Sequence, residues 1–134
     1  MRRRSALVAL LFVAAVRLLA GQQATSLPAP PDTLKFAVIG DNGTGSGQEY
    51  DVGTRMNEAR ATFPYDMVIM LGDNIYGSER PQDFVAKFEK PYKPLLDAKV
   101  PFYAALGNHD DPTQRYYKPF NMNGERYYTF SKGT

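Results

Sequence analysis

Three short runs of apolar residues, each followed by a glycine, organise the chain from residue 34 onward. The runs are Leu34–Ile39, Met67–Leu71 and Pro101–Leu106. Continuous apolar segments of this length that end at a glycine are typical of buried β-strands. The pattern therefore predicts three strands, and a shorter aromatic segment, Tyr127–Ser131, is predicted as a further strand.

Between the predicted strands, apolar residues recur at the spacing of a helix. An amphipathic helix is predicted over Gln48–Thr62, on the pattern of Val52, Met56, Ala59 and Phe63. A second helix is predicted to begin at Pro81, because proline suits the first helical position, and to break at Pro91 and Pro94. Alternation of apolar strands with helices predicts an α/β fold whose parallel sheet is built from right-handed crossovers.

The first thirty residues differ from the rest of the chain. Met1–Arg4 is basic and Ala6–Val16 is continuously apolar, a combination typical of a signal peptide and short for a membrane span. We therefore predict a signal peptide over residues 1–20 and export to the periplasm or the exterior. An uncleaved N-terminal membrane anchor is the alternative. Residues 21–33, which include three prolines, are predicted to form a linker.

Composition narrows the possible functions. The 134 residues suit a single domain, and the net charge of +2 includes four arginines among the first twenty residues. Without them 12 basic and 14 acidic residues remain, so no nucleic-acid binding is expected. The absence of cysteine excludes disulfides and thiolate chemistry, and the single histidine, His109, excludes a site built mainly on imidazole.

Polar residues follow each of the three predicted strands. The segments are Gly40–Gly43, Gly72–Tyr76 and Gly107–Asp110. In a parallel sheet, loops at the carboxyl ends of the strands meet at one edge, where ligands bind. Carboxylate, phenol and amide oxygens suit hard cations, and two such ions can activate water and hold a phosphoryl group. A nearby histidine outside the ligand set can protonate a leaving oxygen.

Each segment also has a simpler interpretation. Asp41, Asn42 and Gly43 alone are typical of a tight turn, and a lone histidine is more often structural. Gly40–Gly47 lies between a strand and a helix, as in nucleotide-binding modules, but Gln48 and Ser46 stand where the phosphate-binding motifs need glycine and lysine. A non-catalytic exported binding protein on a phosphoesterase scaffold is a further alternative.

Taken together and in this order, the three segments resemble the first three metal motifs of the calcineurin-like metallophosphoesterases. Gly43, and the tyrosine three residues after Asp73, make the chain similar to the purple acid phosphatase branch, particularly the small tartrate-resistant type. The resemblance implies a hydrolase that acts on phosphate esters through a binuclear metal centre. It leaves the identity of the ester open.

The resemblance also implies a role for each matching residue. Asp41 would bind the first metal, Asp73 would bridge both metals, and Asn108 would bind the second metal. Tyr76 would bind the first metal as a phenolate, which favours Fe(III), with Fe, Zn or Mn(II) as the second ion. His109 would be the catalytic residue near the leaving group.

Asp110, which follows the histidine, would orient the histidine or its loop. The family fold is a four-layer α/β/β/α sandwich, of which residues 34–134 would supply the N-terminal βαβαβ half. The further histidine ligands of the family are absent from this chain. We therefore expect the chain alone to bind metal poorly and to be inactive.

Overall fold

The computed structural model describes residues 30 and 32–132 of the chain. The predicted signal peptide and most of the predicted linker lie outside the described residues. The elements run in the order β1 (Phe36–Ile39), α1 (Gly47–Thr62), β2 (Met67–Met70), α2 (Pro81–Phe84), a π-helical turn (Val85–Glu89), α3 (Lys93–Asp97) and β3 (Phe102–Ala104). Two 3₁₀ turns follow, at Pro112–Tyr116 and Lys118–Phe120. No helix in this part of the chain is long and apolar enough to cross a bilayer.

The three strands form one parallel sheet in the order β1-β2-β3. Phe36 is opposite Met67, and Val68 is opposite Phe102. The predicted α/β fold with a parallel sheet is confirmed, and each observed strand is shorter than its apolar run. The second predicted helix begins at Pro81 as expected, and it continues as a π-helical turn before α3.

The hydrophobic core lies on one face of the sheet. Right-handed crossovers between sequential strands place both connections on the same side. The buried strand residues on this face alternate along β2 and β3, as a pleated sheet requires. They are Val68, Met70, Phe102 and Ala104, and they share one core with Phe88, Tyr92, Leu95 and Phe120 from the connections and the final turn.

The opposite face of the sheet is only partly covered. Phe36, Val38 and Leu71 are 45%, 48% and 64% exposed. Tyr103 on this face stacks against Phe130, with ring centroids 3.9 Å apart. The prediction of a strand at Tyr127–Ser131 is wrong, because that segment contacts the sheet through aromatic side chains and forms no backbone ladder.

The buried face of α1 matches the expected one at Met56 and Phe63, which pack against the core, and differs at Val52. Val52 is 44% exposed, whereas Glu49 and Gly53 are buried. A side chain at Gly53 would meet the backbone oxygen of Pro91, 2.1 Å from its Cβ. The helix therefore turns its smallest residue toward the second connection, which carries Glu49 inward and leaves Val52 outward.

Candidate metal centre

The loops after β1 and β2 are joined by backbone hydrogen bonds. The amide of Asp41 donates to the carbonyl of Gly72 at 3.1 Å, and that of Asn42 donates to Asp73 at 3.2 Å. Further along, the amide of Tyr76 donates to the carbonyl of Gly43 at 2.7 Å. The pairing of the two strands thus continues into the loops and holds the two aspartates side by side.

Two glycines allow the loops to approach this closely. A Cβ at Gly43 would lie 1.8 Å from the backbone oxygen of Asn74. A Cβ at Gly107 would lie 2.1 Å from Oδ1 of Asp73. Any side chain at either position would push the loops apart, so these glycines determine the distance between the three segments.

The oxygens of Asp41, Asp73 and Tyr76 converge at the sheet edge. The Tyr76 hydroxyl lies 3.0 Å from Oδ1 of Asp41 and 3.0 Å from Oδ2 of Asp73. Both aspartates adopt the left-handed backbone conformation, with φ of 52° and 51°. Such conformations cost free energy in residues other than glycine and concentrate at functional sites.

Electrostatics distinguish the phenol from the carboxylates. Desolvation raises the pKa of Tyr76, and its hydrogen bonds to Asp41 and Asp73 and their charges raise it further. The pKa of Asp73 is lowered, first by the backbone N–H of His109, which donates to Oδ1 at 3.1 Å, and also by the Tyr76 hydroxyl. The site therefore presents an ionised Asp73 beside a protonated phenol.

The third loop adds His109 and Asn108. The His109 ring centroid lies 5.1 Å from that of Tyr76, and the side chain borders an open cleft of about 440 Å³. Glu79, Asp110 and Asp111 also line this cleft. Asn108 is exposed and lies between Gly107 and His109, both of which contact Asp73.

Asp110 connects the second and third loops. Its buried carboxylate accepts hydrogen bonds from the amides of Asn74 at 2.7 Å, Ile75 at 3.1 Å and Gly107 at 2.8 Å. It also accepts from the side-chain amides of Asn74 at 3.0 Å and Gln114 at 2.8 Å. The bonds run to the second loop and to the start of the third, so the carboxylate holds the loops together.

Sequence reasoning missed two members of this network, Asn74 and Gln114. They are 0% and 1% exposed, and the side chain of Asn74 also donates to the carbonyl of Ala105 at 2.7 Å. The Gly-Asp-Asn string could have drawn attention to Asn74, since it adjoins the predicted metal ligand. Gln114 lies in a 3₁₀ turn that no pattern predicted.

The side chains that could bind a metal here suit a hard cation, but they are few. Among the described residues, no three histidine, cysteine or carboxylate side chains are arranged to hold a metal ion. The converging donors are two carboxylates and one phenol, all oxygens that hard di- and trivalent ions prefer. The residues present therefore fit part of a metal coordination sphere.

The three loops lie within residues 34–133, which match the family model for calcineurin-like phosphoesterases. The chain is similar to mouse (Mus musculus) tartrate-resistant acid phosphatase type 5, with 30% identity over 92 residues that cover 61% of this chain and 28% of the mouse protein. It is also similar to "Probable inactive purple acid phosphatase 14" of Arabidopsis thaliana, with 33% identity over 45 residues, or 34% of this chain and 11% of that protein. The matched segments thus span less than a third of either relative. The family match covers most of the chain, which belongs to the calcineurin-like phosphoesterases.

Proposed function

We propose that this chain carries the first metal-binding segments of a phosphate-ester hydrolase of the purple acid phosphatase type. The observation that carries the proposal is the convergence of Asp41, Asp73 and the Tyr76 hydroxyl, with 3.0 Å between the phenol oxygen and each carboxylate. Family membership supports phosphoester chemistry. The similarity to an acid phosphatase supports the narrower assignment.

Asp41, Asp73, Tyr76 and Asn108 would hold the binuclear centre. A phenolate is a hard anionic donor and favours Fe(III), and the second ion would be Fe, Zn or Mn(II). When bound, the metals supply the Lewis acidity that activates water and orients a phosphoryl group. Asp73 lies between the first and third loops. Its carboxylate contacts the Tyr76 hydroxyl, which connects it to the first loop, and accepts a hydrogen bond from the backbone N–H of His109 in the third loop.

His109 would donate a proton to the leaving oxygen. Its backbone is fixed by the hydrogen bond to Asp73, while its ring borders the open cleft beside Tyr76. An imidazole would then lie next to the proposed metals without being one of their ligands, as a general acid requires. Export through the leader would bring the protein to substrates outside the cytoplasm.

The alternative of a nucleotide-binding loop has less support. Gly43, which a phosphate-binding loop would use to approach a ligand, instead packs against the backbone of Asn74 and Ile75. Its carbonyl accepts from the Tyr76 amide at 2.7 Å. The glycine is therefore accounted for by contact between the two loops.

Titration of the chain with Fe(III) tests the proposal, because a tyrosinate ligand produces a visible charge-transfer band. Because the chain alone is expected to bind metal poorly, Fe(III) is added in excess, and under that condition we expect a weak band in the wild type that disappears in Tyr76→Phe. Tyr116→Phe is the matched control, since Tyr116 is 64% exposed and outside the site, and this variant should keep the band. A band that persists unchanged in Tyr76→Phe would contradict the proposal.

Phosphatase turnover is a separate measurement. With one histidine, the chain lacks the imidazole ligands that the family resemblance implies, so we expect little hydrolysis of a phosphomonoester by this chain alone. Robust, metal-dependent turnover that survives His109→Ala would contradict the proposed role of His109.

A further inference from the structure

A second polar cluster lies beside the first loop and outside the proposed metal ligands. It consists of Asn42, Glu49 and Tyr92, which are 8%, 4% and 0% exposed. All three line a cavity of about 290 Å³ at the start of α1, together with Thr44, Ser46, Gln48 and the proposed metal ligand Asp41. The three residues are neighbours, because two of them act on the pKa of the third. Burial raises the pKa of Tyr92, the charge of Glu49 raises it further, and the side chain of Asn42 lowers it.

The polar atoms of this cluster lack partners. No hydrogen bond of good geometry reaches the side-chain amide of Asn42, Oε1 of Glu49 or the hydroxyl of Tyr92 from any described residue, and Asn42 lies only near enough to Tyr92 to lower its pKa. Buried polar atoms in folded proteins are nearly always bonded, and each exception calls for an explanation. Four such atoms around one cavity indicate that the cavity holds something that bonds to them.

The charge of Glu49 also lacks a counter-ion. Its Oε2 accepts from the amide of Gly45, but no lysine or arginine nitrogen of the described residues forms an ion pair with it. Lys87 acts on it only from a distance, since its ammonium group donates to the carbonyls of Tyr76 at 2.6 Å and Ser78 at 2.9 Å. A buried carboxylate requires a neutralising partner, which is a proton or a cation.

We propose that Asn42, Glu49 and Tyr92 form a binding site for a monovalent metal cation, potassium or sodium. The carboxylate, amide and phenol oxygens are hard donors, and one carboxylate balances one positive charge. The cavity has room for water molecules to complete the coordination and to bond the amide nitrogen of Asn42. The three proposed cation ligands differ from those of the metal centre, and Asp41 of the metal centre borders the same cavity.

The cation would compete with a proton for Glu49. Burial raises the pKa of Glu49 from 4.5 to about 7, while the N–H of Gly45, the Thr44 side chain and the charge of Lys87 oppose the rise. Tyr92 faces it from the second connection and stays protonated. Binding should therefore be strong above pH 7 and should fade below pH 6, and between these values, where Glu49 is still partly protonated, it should release a proton.

Thermal unfolding of the full chain tests this proposal, with EDTA present to remove divalent ions. At pH 8, potassium chloride or sodium chloride should raise Tm by about 5 °C, once the cation is about tenfold above its Kd, relative to equal choline chloride. Choline matches the ionic strength, but its methyl groups keep oxygen ligands away from its charge. At pH 5.5 the difference between the salts should vanish.

Two variants separate this site from the metal centre. Glu49→Gln keeps the size of the side chain and should lose the cation effect at pH 8, whereas Asp41→Asn, which alters the metal-centre carboxylate that borders the same cavity, should keep it. If Glu49→Gln does not fold, ²³Na relaxation in the presence of the wild type, with potassium as the competitor, provides the same test. Equal Tm values in potassium, sodium and choline at pH 8, or a cation effect that persists in Glu49→Gln, overturn the proposal. The first of these results would leave water or a proton as the occupant.

Discussion

Two buried carboxylates, Asp110 and Glu49, adjoin the loops that follow the strands, and their surroundings are opposite. Asp110 accepts five hydrogen bonds, three from backbone amides and two from side-chain amides. Glu49 accepts one from Gly45 and leaves its other oxygen without a partner among the described residues. Both are less than one-tenth exposed, so burial alone does not distinguish them.

The difference separates a structural carboxylate from one that needs a ligand. Around Asp110 the donors of three chain segments are all used, so the charge is stabilised by the fold itself. Around Glu49, hydrogen-bond acceptors and the unpaired side-chain amide of Asn42 surround the cavity. The charge of Glu49 must therefore be stabilised by a bound ligand or neutralised by a proton. The predictions below test each side of this contrast.

The largest effect is expected for Asp110→Ala. Its removal leaves the backbone amides of Asn74, Ile75 and Gly107 without an acceptor, and each unpaired buried group costs about 1–3 kcal/mol. The side-chain amides of Asn74 and Gln114 keep Ala105 and Glu79 as partners. We expect the free energy of unfolding to fall by about 4 kcal/mol, measured by chemical denaturation. Asp111→Ala is the matched control: the residue is exposed and accepts only from Thr113, so we expect a loss of about 1 kcal/mol. Equal losses for the two variants would show that Asp110 does not hold the loops.

A somewhat smaller effect is expected for Gly43→Ala. The new Cβ would overlap the backbone of Asn74, so the first two loops must separate at a cost of about 2–3 kcal/mol. The Fe(III) charge-transfer band should weaken as well, because Asp41 would move away from Tyr76. Gly47→Ala is the control, since no atom lies within 4 Å of the added methyl group and α1 begins there. It should leave stability unchanged or raise it by up to about 1 kcal/mol.

The position of the strands could be predicted from the sequence, but the face that they bury could not. The apolar runs located β1, β2 and β3 to within a few residues, because continuous apolar segments must be buried somewhere. Every residue of the three observed strands is apolar or aromatic, however, so nothing in the pattern distinguishes exposed Val38 from buried Val68. That difference arises because both crossovers pack on one side of the sheet.

The candidate site, too, could be predicted only in part from the sequence. Asp41, Asp73 and Tyr76 could be predicted to meet, because each lies in a motif that ends a strand. The surroundings of Glu49 could not, since its burial depends on the contact of Gly53 with Pro91, which comes from a distant part of the sequence. The helical pattern favoured Val52 as the inward residue instead. Long-range backbone contacts of this kind leave no local signature.

Glu49→Gln in choline buffer is expected to raise the free energy of unfolding, by less than Gly43→Ala lowers it. The fold raises the pKa of Glu49 from 4.5 to about 7. The stability that comes from the protonated carboxyl is therefore fully present below pH 4.5 and is lost as the pH rises through 7. Glutamine does not ionise, so at pH 8 the variant should be more stable than the wild type by on the order of 2 kcal/mol. The gain should disappear near pH 4 in denaturation curves measured across this range. A gain that is independent of pH would show that the charge of Glu49 is not its source.

The smallest effects compare the hydroxyls of half-buried Tyr117 and buried Tyr92. The Tyr117 hydroxyl donates to Glu89 at 2.6 Å, whereas that of Tyr92 has no partner among the described residues. Tyr117→Phe should therefore cost about 1–2 kcal/mol, because it removes a charge-assisted hydrogen bond, while Tyr92→Phe in choline buffer should change stability by less than about 0.5 kcal/mol. In potassium at pH 8 the order should change, since Tyr92→Phe then removes a cation ligand and should lower the Tm gain that potassium produces. A large loss for Tyr92→Phe in choline would mean that water already satisfies this hydroxyl, and the contrast between Asp110 and Glu49 would then reflect hydration and not a missing cation.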